Sequence, residues 1–224
     1  MTNYPSDKIV WIDCEMTGLD VSKDALVEIA LIITDFDLQP VAPGLEVVIN
    51  PGAAALENMN EFVRDMHTKS GLLESIPSGK TLADAEAEVI AYLKKYVSGN
   101  RRPLVAGNTI GMDRRFISTY LPNFDALLHY RSIDVSTVKE LARRWFPTAF
   151  DYSPPKFGGH RALADIAESI QELAYFRRVI FQNSGIDADT AQLKEAQLHT
   201  QKAFKELLED SGVSLQDTRH AETA

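Results

Sequence analysis

Residues 9–12 are an unbroken apolar run, short enough to be a strand buried on both faces. A turn at Thr17-Gly18-Leu19-Asp20 follows. Residues 25–34 (ALVEIALIIT) then read as a second strand and 45–50 (LEVVIN) as a third, stopped by Pro51-Gly52. Three successive strands on short links predict an antiparallel meander. The period then changes. Leu82, Ala85, Val89, Ile90, Leu93 and Val97 recur at helical spacing, predicting an amphipathic helix that Ser98-Gly99-Asn100 ends. Further along come a strand at 103–106, a helix at 111–121 closed by Pro122, and a strand at 130–135. Ser136 is the expected cap of a helix over 137–146. A Pro- and Gly-rich loop is expected at 147–159 and a long helix at 161–181, with Ile166, Ile170, Leu173 and Phe176 on one face. Residues 186–208 read as a polar helix and 214–224 as a loose tail.

A meander followed by helix–strand alternation predicts an α/β domain, a mixed sheet flanked by helices, with a helical C-terminal annex. The composition agrees: of 224 residues 45% are hydrophobic and 25% charged, too apolar for a disordered chain. No apolar run approaches the ~18 residues of a membrane span. Residues 1–6 lack the basic flank and apolar stretch of a signal peptide. The single cysteine, Cys14, excludes a disulfide within the chain, so the cytoplasm is the expected compartment.

The formal net charge of −9 is the wrong sign for gripping a long nucleic acid, which is held chiefly by Lys and Arg against phosphates. An acidic chain can still act on nucleic acid in two ways. Bound divalent cations can supply local positive charge, or the substrate can be too short to need a basic track.

Three groups of residues carry candidate chemistry. Asp13 and Glu15 continue the first strand, and positions two apart point to one face. Two carboxylates there repel each other and lose hydration, which favours a cation between them; oxygen donors of this kind suit Mg²⁺ or Mn²⁺. A strand simply emerging into solvent is the bland alternative. Asp113 follows a strand and a Gly-containing turn (GNTIGMD) in the first turn of a helix, where the dipole alone would favour an acid. His160 and Asp165 lie in GGHRALAD, where two glycines allow close backbone approach. Their offset does not put both on one helix face, so His160 has to act from the loop.

The segments WIDCEMTGLD, AGNTIGMDRRF, YRSIDVSTVKEL and HRALADI, in this order, give the chain its resemblance to the DEDDh exonucleases of the ribonuclease H-like superfamily, and within them to the oligoribonucleases. The likeness spans residues 9–181. It implies a five-stranded mixed sheet with an exonuclease domain over 1–183; residues 184–224, a stretch longer than the family core needs, are expected as a helical extension packed on the same domain, with a loose tail. The likeness also implies 3′→5′ exoribonuclease activity on very short RNA, chiefly dinucleotides, releasing 5′-mononucleotides. In this family four acids, here Asp13, Glu15, Asp113 and Asp165, hold two divalent metals about 3.5–4 Å apart, Mg²⁺ or Mn²⁺. His160 takes a proton from the attacking water, which requires a neutral imidazole.

The resemblance further implies that Leu19 wedges against a base and His67 stacks on one, while Thr109 and Ser136 supply hydroxyls near the phosphate. Tyr130 and Arg131 arrive from the second subunit of a homodimer and close over the 5′ end. Without the family, Leu19 reads as a turn hydrophobe, His67 as a solvated residue at a helix end and Tyr130 as a strand aromatic. Cys14 reads as core filler on the face opposite the acids. Thr109 stands where the family pattern has Ser, Met112 replaces a polar residue and Ala164 replaces a frequent acid. The same catalytic set would also serve a proofreading or RNA-trimming exonuclease on longer substrates. A catalytically inactive binding module has no need to place repelling carboxylates together.

Overall fold

The first strand runs further than its apolar run. β1 spans Ile9–Met16, because the carboxylates at Asp13 and Glu15 do not interrupt its pairing with β2, Leu26–Thr34. The computed structural model describes residues 6–99, 101–155 and 161–181 together with Leu198. The helix expected over 186–208, Leu198 apart, and the tail at 214–224 lie outside these residues, as does His160. The chain divides into two compact units, Met1–Val179 and Ile180–Ala224, and the elements that build the site lie in the first.

The expected meander is present. β1 and β2 are antiparallel, and β2 is antiparallel to β3, Leu45–Val48. On the other side of β1 run two parallel strands, β4 at Leu104–Gly107 and β5 at Ser132–Asp134. The sheet is therefore five-stranded and mixed, in the order β3-β2-β1-β4-β5. β1 is central, which explains why its sequence is apolar on both faces rather than alternating.

Between β3 and β4 lie α1 (Ala53–Glu57), α2 (Glu61–Lys69), α3 (Leu72–Ser75) and α4 (Leu82–Tyr96). α1 and α3, five and four residues long, were not legible as helices because they are short, and of α2 only the end at His67 was anticipated. α4 is the expected amphipathic helix, and Thr81 caps it by accepting the Asp84 N–H. After β4 come α5 (Gly111–Tyr120), α6 (Pro122–Asp125), α7 (Val135–Trp145), α8 (Pro147–Asp151) and α9 (Ala162–Phe176). Part of the expected loop over 147–159 is thus the short helix α8, started by Pro147 at its first position. The helix expected to reach residue 181 ends as α-helix at Phe176, and Arg177–Phe181 winds on as a π-helix.

Residue parity along β1 sorts the core into two layers. Val10, Ile12 and Cys14 pack with Ile29, Leu31 and Ile33 against Ala85, Val89 and Leu93 of α4 and Phe116 and Ile117 of α5. Ile9 and Trp11 pack with Ala30 and Ala106 against Val135 of α7 and Ala162 and Ile166 of α9. Trp11 is fully buried, and its Nε1–H donates to Thr34 Oγ1 at 2.9 Å, so its polar edge is satisfied. Each such buried side chain contributes roughly 1.5–3 kcal/mol. The layer under α9 matters for function: it presses that helix onto the face of β1 that ends in Asp13 and Glu15.

Candidate active site

Asp13 and Glu15 follow Ile9 and Trp11 on the α9 face of β1. Asp165 lies in the first turn of α9. Oxygen atoms of Asp13, Glu15 and Asp165 converge to within 4.8 Å of one another. Asp113 comes from the first turn of α5, in the opposite layer, and is buried. Its Oδ1 accepts the Cys14 N–H at 3.0 Å, which fastens it to the strand between the first two acids.

Burial and mutual repulsion act together on these groups. Desolvation, reinforced by Asp113 and Glu15, pushes the Asp13 carboxyl up to about 9. Desolvation, with Asp165 and Glu28 adding, pushes Glu15 up to about 8. Asp113 rises to about 7, chiefly through burial and against the hydrogen bond from Cys14. Without a cation Asp13 and Glu15 favour their protonated forms at neutral pH; a divalent cation would exchange for those protons and remove the repulsion. The donors are all hard oxygens, which fit Mg²⁺ or Mn²⁺ better than the nitrogen and sulfur set usual for Zn²⁺.

Close approach of the strands shapes the floor of the site. A Cβ on Gly107 would stand 2.8 Å from the Ile12 carbonyl oxygen, so only glycine lets β4 end this near β1. The chain then turns through Thr109, a non-glycine residue at φ 53°. That conformation is strained for a β-branched side chain. It is held by the Thr109 N–H donating to Asp134 Oδ1 and Ser136 Oγ, both at 3.0 Å. The Thr109 and Ser136 hydroxyls are 3.1 Å apart. Ser136 also donates to Asn108 Oδ1, Asn108 to Ser169 Oγ, and Ser169 to the Asp165 carbonyl. Ser136 is not the cap of its helix. Asp134 is, accepting the Ser136 N–H at 2.9 Å, and this leaves the serine hydroxyl for the network.

The remaining expected residues divide. Leu19 is 66% exposed at the tip of the turn after β1. That turn is braced from within: Asp24 accepts from Thr17 Oγ1 at 3.1 Å and from the Asp20 N–H at 2.9 Å. His67 is 0% exposed and presents no open ring face to a base in this structure. It is neither solvated nor at the surface: Nε2 donates to the Met16 carbonyl at 2.9 Å and Nδ1 lies 3.9 Å from Glu15 Oε2. Tyr130 is 71% exposed, stacked on buried His129 and beneath the Arg131 guanidinium. Both precede β5. Since Ser132 pairs with Val105, and Leu104 with Ile9, Arg131 is level with Ile9, four residues or about 13 Å short of Asp13 along β1. Cys14 is buried in the layer opposite the acids, and desolvation raises its thiol well above the usual range. It is core, as read.

Glu28, Arg161, Asn108 and Asp134 were not singled out in the sequence. Asp134 alone had a signal, an acid directly before a helix.

The family model of the RNase_T exonuclease domain matches residues 10–173. The chain belongs to the RNase_T exonuclease family. Within this family it is similar to curated oligoribonucleases. That of Leifsonia xyli subsp. xyli is 58% identical, the match covering 79% of this chain and 85% of the relative. That of Streptomyces avermitilis is 52% identical over 84% of this chain and 94% of its own length. Among solved structures the fold is that of Exonuclease I. The Methylocaldum szegediense enzyme superposes with a TM-score of 0.58 at 18% identity, over 78% of this chain and 41% of that one. A metal-free E. coli ExoI–ssDNA complex gives 0.61 at 13% identity, over 79% and 41%. The chain thus spans about two fifths of these exonucleases, and the likeness to them is one of fold. The expected ribonuclease H-like architecture and exonuclease family are both found. Among the described residues no helix is long and apolar enough to cross a membrane.

Proposed function

We propose that this chain is a 3′→5′ exoribonuclease that hydrolyses RNA of a few nucleotides, chiefly dinucleotides, to 5′-mononucleotides. The observation that carries it is the convergence of Asp13, Glu15 and Asp165, three carboxylates within 4.8 Å on a family exonuclease fold. Asp13, Glu15 and Asp165 would hold one divalent ion, Mg²⁺ or Mn²⁺, and Asp113 together with Asp13 a second. When bound, the ions polarise the phosphoryl oxygens and lower the pKa of the attacking water.

The side chains do the rest. His160 takes the proton from the water and needs its neutral form to do so. Thr109 and Ser136, hydroxyls 3.1 Å apart, bind the phosphate. Leu19 presses on a base, and Asp113, tied to the Cys14 amide, holds its position without relaxation of the strand. His67, buried with its Nδ1 3.9 Å from Glu15 Oε2, lines the protein side of that carboxylate. Tyr130 and Arg131 close over the 5′ end in a second copy's site, forming a homodimer in which each cap serves the partner. Arg131 stands level with Ile9, four residues short of Asp13, and Tyr130 lies one residue further back, which supports action in trans rather than on their own acids. A cap that closes the 5′ end leaves room for few nucleotides, and the net charge of −9 accords with such a substrate. The single cysteine accords with a cytoplasmic setting.

The test is turnover of 5′-labelled dinucleotides against twenty-mers of RNA and of DNA, with Mn²⁺ present. Dinucleotides are expected to be cleaved fastest. Equal or faster cleavage of the twenty-mers would favour a trimming or proofreading role and remove the length preference.

A further inference from the structure

Glu28 belongs to none of the groups assigned above, yet it is as buried as any of the described residues. It sits in β2 directly opposite Glu15 in the β1–β2 register and is 0% exposed. A buried carboxylate is retained only with partners that satisfy both oxygens. Glu28 has them. Its Oε1 accepts from Arg161 Nη2 at 3.1 Å and Nε at 3.3 Å, and its Oε2 accepts the backbone N–H of Ala162 at 3.0 Å. Arg161 Nη2 also reaches Glu46 Oε2 on β3 at 2.7 Å.

Ala162 is the first residue of α9. A helix start has amides with no partner inside the helix, and these are normally met by the residue just before it. Here that residue is Arg161, whose side chain makes no capping hydrogen bond. The cap instead comes from Glu28, 134 residues earlier in the chain. Asp165 lies three residues beyond the gripped amide, a rise of roughly 4.5 Å. The strand that carries Glu28 is the one paired to Asp13 and Glu15. One carboxylate thus joins the helix bearing Asp165 to the ladder bearing the other two acids. Arg161 also supplies the positive charge that opposes the upward drift of Glu15.

We propose that Glu28 and Arg161 are positioning residues for the metal centre: by capping and anchoring α9 on β2 and β3, they set the depth and rotation at which Asp165 meets Asp13 and Glu15. They touch neither the ions nor the RNA. This rests on the reading that those three acids hold divalent cations. A merely structural ion pair would affect stability alone; a positioning pair affects cation affinity in a folded protein.

The experiment compares the full chain with Glu28→Gln and Arg161→Gln. Glu28→Gln keeps an acceptor for the Ala162 amide and loses the charge; Arg161→Gln leaves the buried Glu28 carboxylate short of its counter-charge, so Arg161→Lys, which retains it, keeps the test open if the other two fold poorly. Folding is checked by circular dichroism in EDTA, Mn²⁺ binding by calorimetry without RNA, and the rate as a function of Mn²⁺. The expected result is a folded variant whose Mn²⁺ requirement rises about 10–100-fold, as for other residues that orient metal ligands. Excess Mn²⁺ should restore kcat, and KM for a dinucleotide at saturating Mn²⁺ should stay within about twofold. Arg161→Lys, which keeps charge but not the fork, should fall between. Unchanged Mn²⁺ affinity in the folded variants overturns the proposal, and so does a loss of kcat that saturating Mn²⁺ cannot restore. If the unaltered chain itself binds no Mn²⁺, the metal reading fails, and the positioning role fails with it.

Discussion

Asp113 Oδ1 accepts the backbone N–H of Cys14 at 3.0 Å, linking the first turn of α5 to the residue that separates Asp13 from Glu15. The carboxylate therefore has two duties, satisfying a buried amide and supplying negative charge. The two are separable by substitution. Asp113→Asn keeps an acceptor oxygen and loses the charge, whereas Asp113→Ala loses both. Hydrolysis should fall at least about a hundredfold in each, since ion-based stabilisation of the transition state is worth several kcal/mol and about 1.4 kcal/mol is tenfold. Only the alanine should cost stability, about 1–3 kcal/mol for an orphaned buried amide. Urea denaturation of the three proteins in EDTA checks this; equal stability of the two variants would mean that the Cys14 amide finds another partner.

The raised carboxyls set a pH dependence with a definite sign. Asp13 titrates near 9 in the fold, against an ordinary value of 3.8 when unfolded. Above the unfolded value, the unfolded chain gives up its proton and the folded one keeps it, so metal-free stability falls as pH rises towards 9. Asp13→Asn has no proton to lose. In EDTA it should melt above the unaltered chain at pH 8, with the gap closing towards pH 5. A gap that grew on acidification would reverse the assignment. Cation binding near pH 7 should also release protons, read as a dependence of calorimetric enthalpy on buffer ionisation.

Thr109 holds φ 53° for the sake of its neighbours' hydrogen bonds. Asn tolerates the left-handed region better than a β-branched residue. Thr109→Asn should raise stability by about 1 kcal/mol, within the range such strain costs. The hydroxyl next to Ser136 is lost, so KM for dinucleotides should rise while Mn²⁺ affinity holds. Loss of stability would show that the backbone here is not strained.

Action of Tyr130 in trans has a decisive mixing test. Asp13→Ala and Tyr130→Ala proteins should each be poorly active alone. After exchange of subunits, half the dimers are mixed and each has one site with intact acids and an intact partner cap, giving roughly a quarter of full activity by C2 symmetry. If Tyr130 served its own chain, no mixed site would be complete and activity would stay at the level of the parents.

Much of this was legible from one sequence. The meander, α4 and the strand-then-acid pattern at Asp13 and Glu15 followed from period alone, because apolar runs two or 3.6 residues apart have few other ways to be buried. The approach of Asp165 to those acids depended on the family likeness, and the fold supplies the means in Ile166 and Ala162 packed on Trp11. What stayed hidden was pairing at long range. Nothing in the string says that Glu28 meets Arg161 across 133 residues, or that His67, at the end of a short helix, turns inward to Met16 rather than outward. The cap of α7 was misplaced by two residues, since Asp134 and Ser136 are both good capping types and only the β4–β5 register decides between them.

The order in which the site is assembled also bears on how such an enzyme is made. Its proposed ligands enter the chain at opposite ends of the first unit, Asp13 on the first strand and Asp165 on α9. A ribosome that has synthesised the sheet has still not produced the carboxylate that completes the triad. A product truncated before α9 should therefore lack hydrolytic activity however completely its sheet has formed.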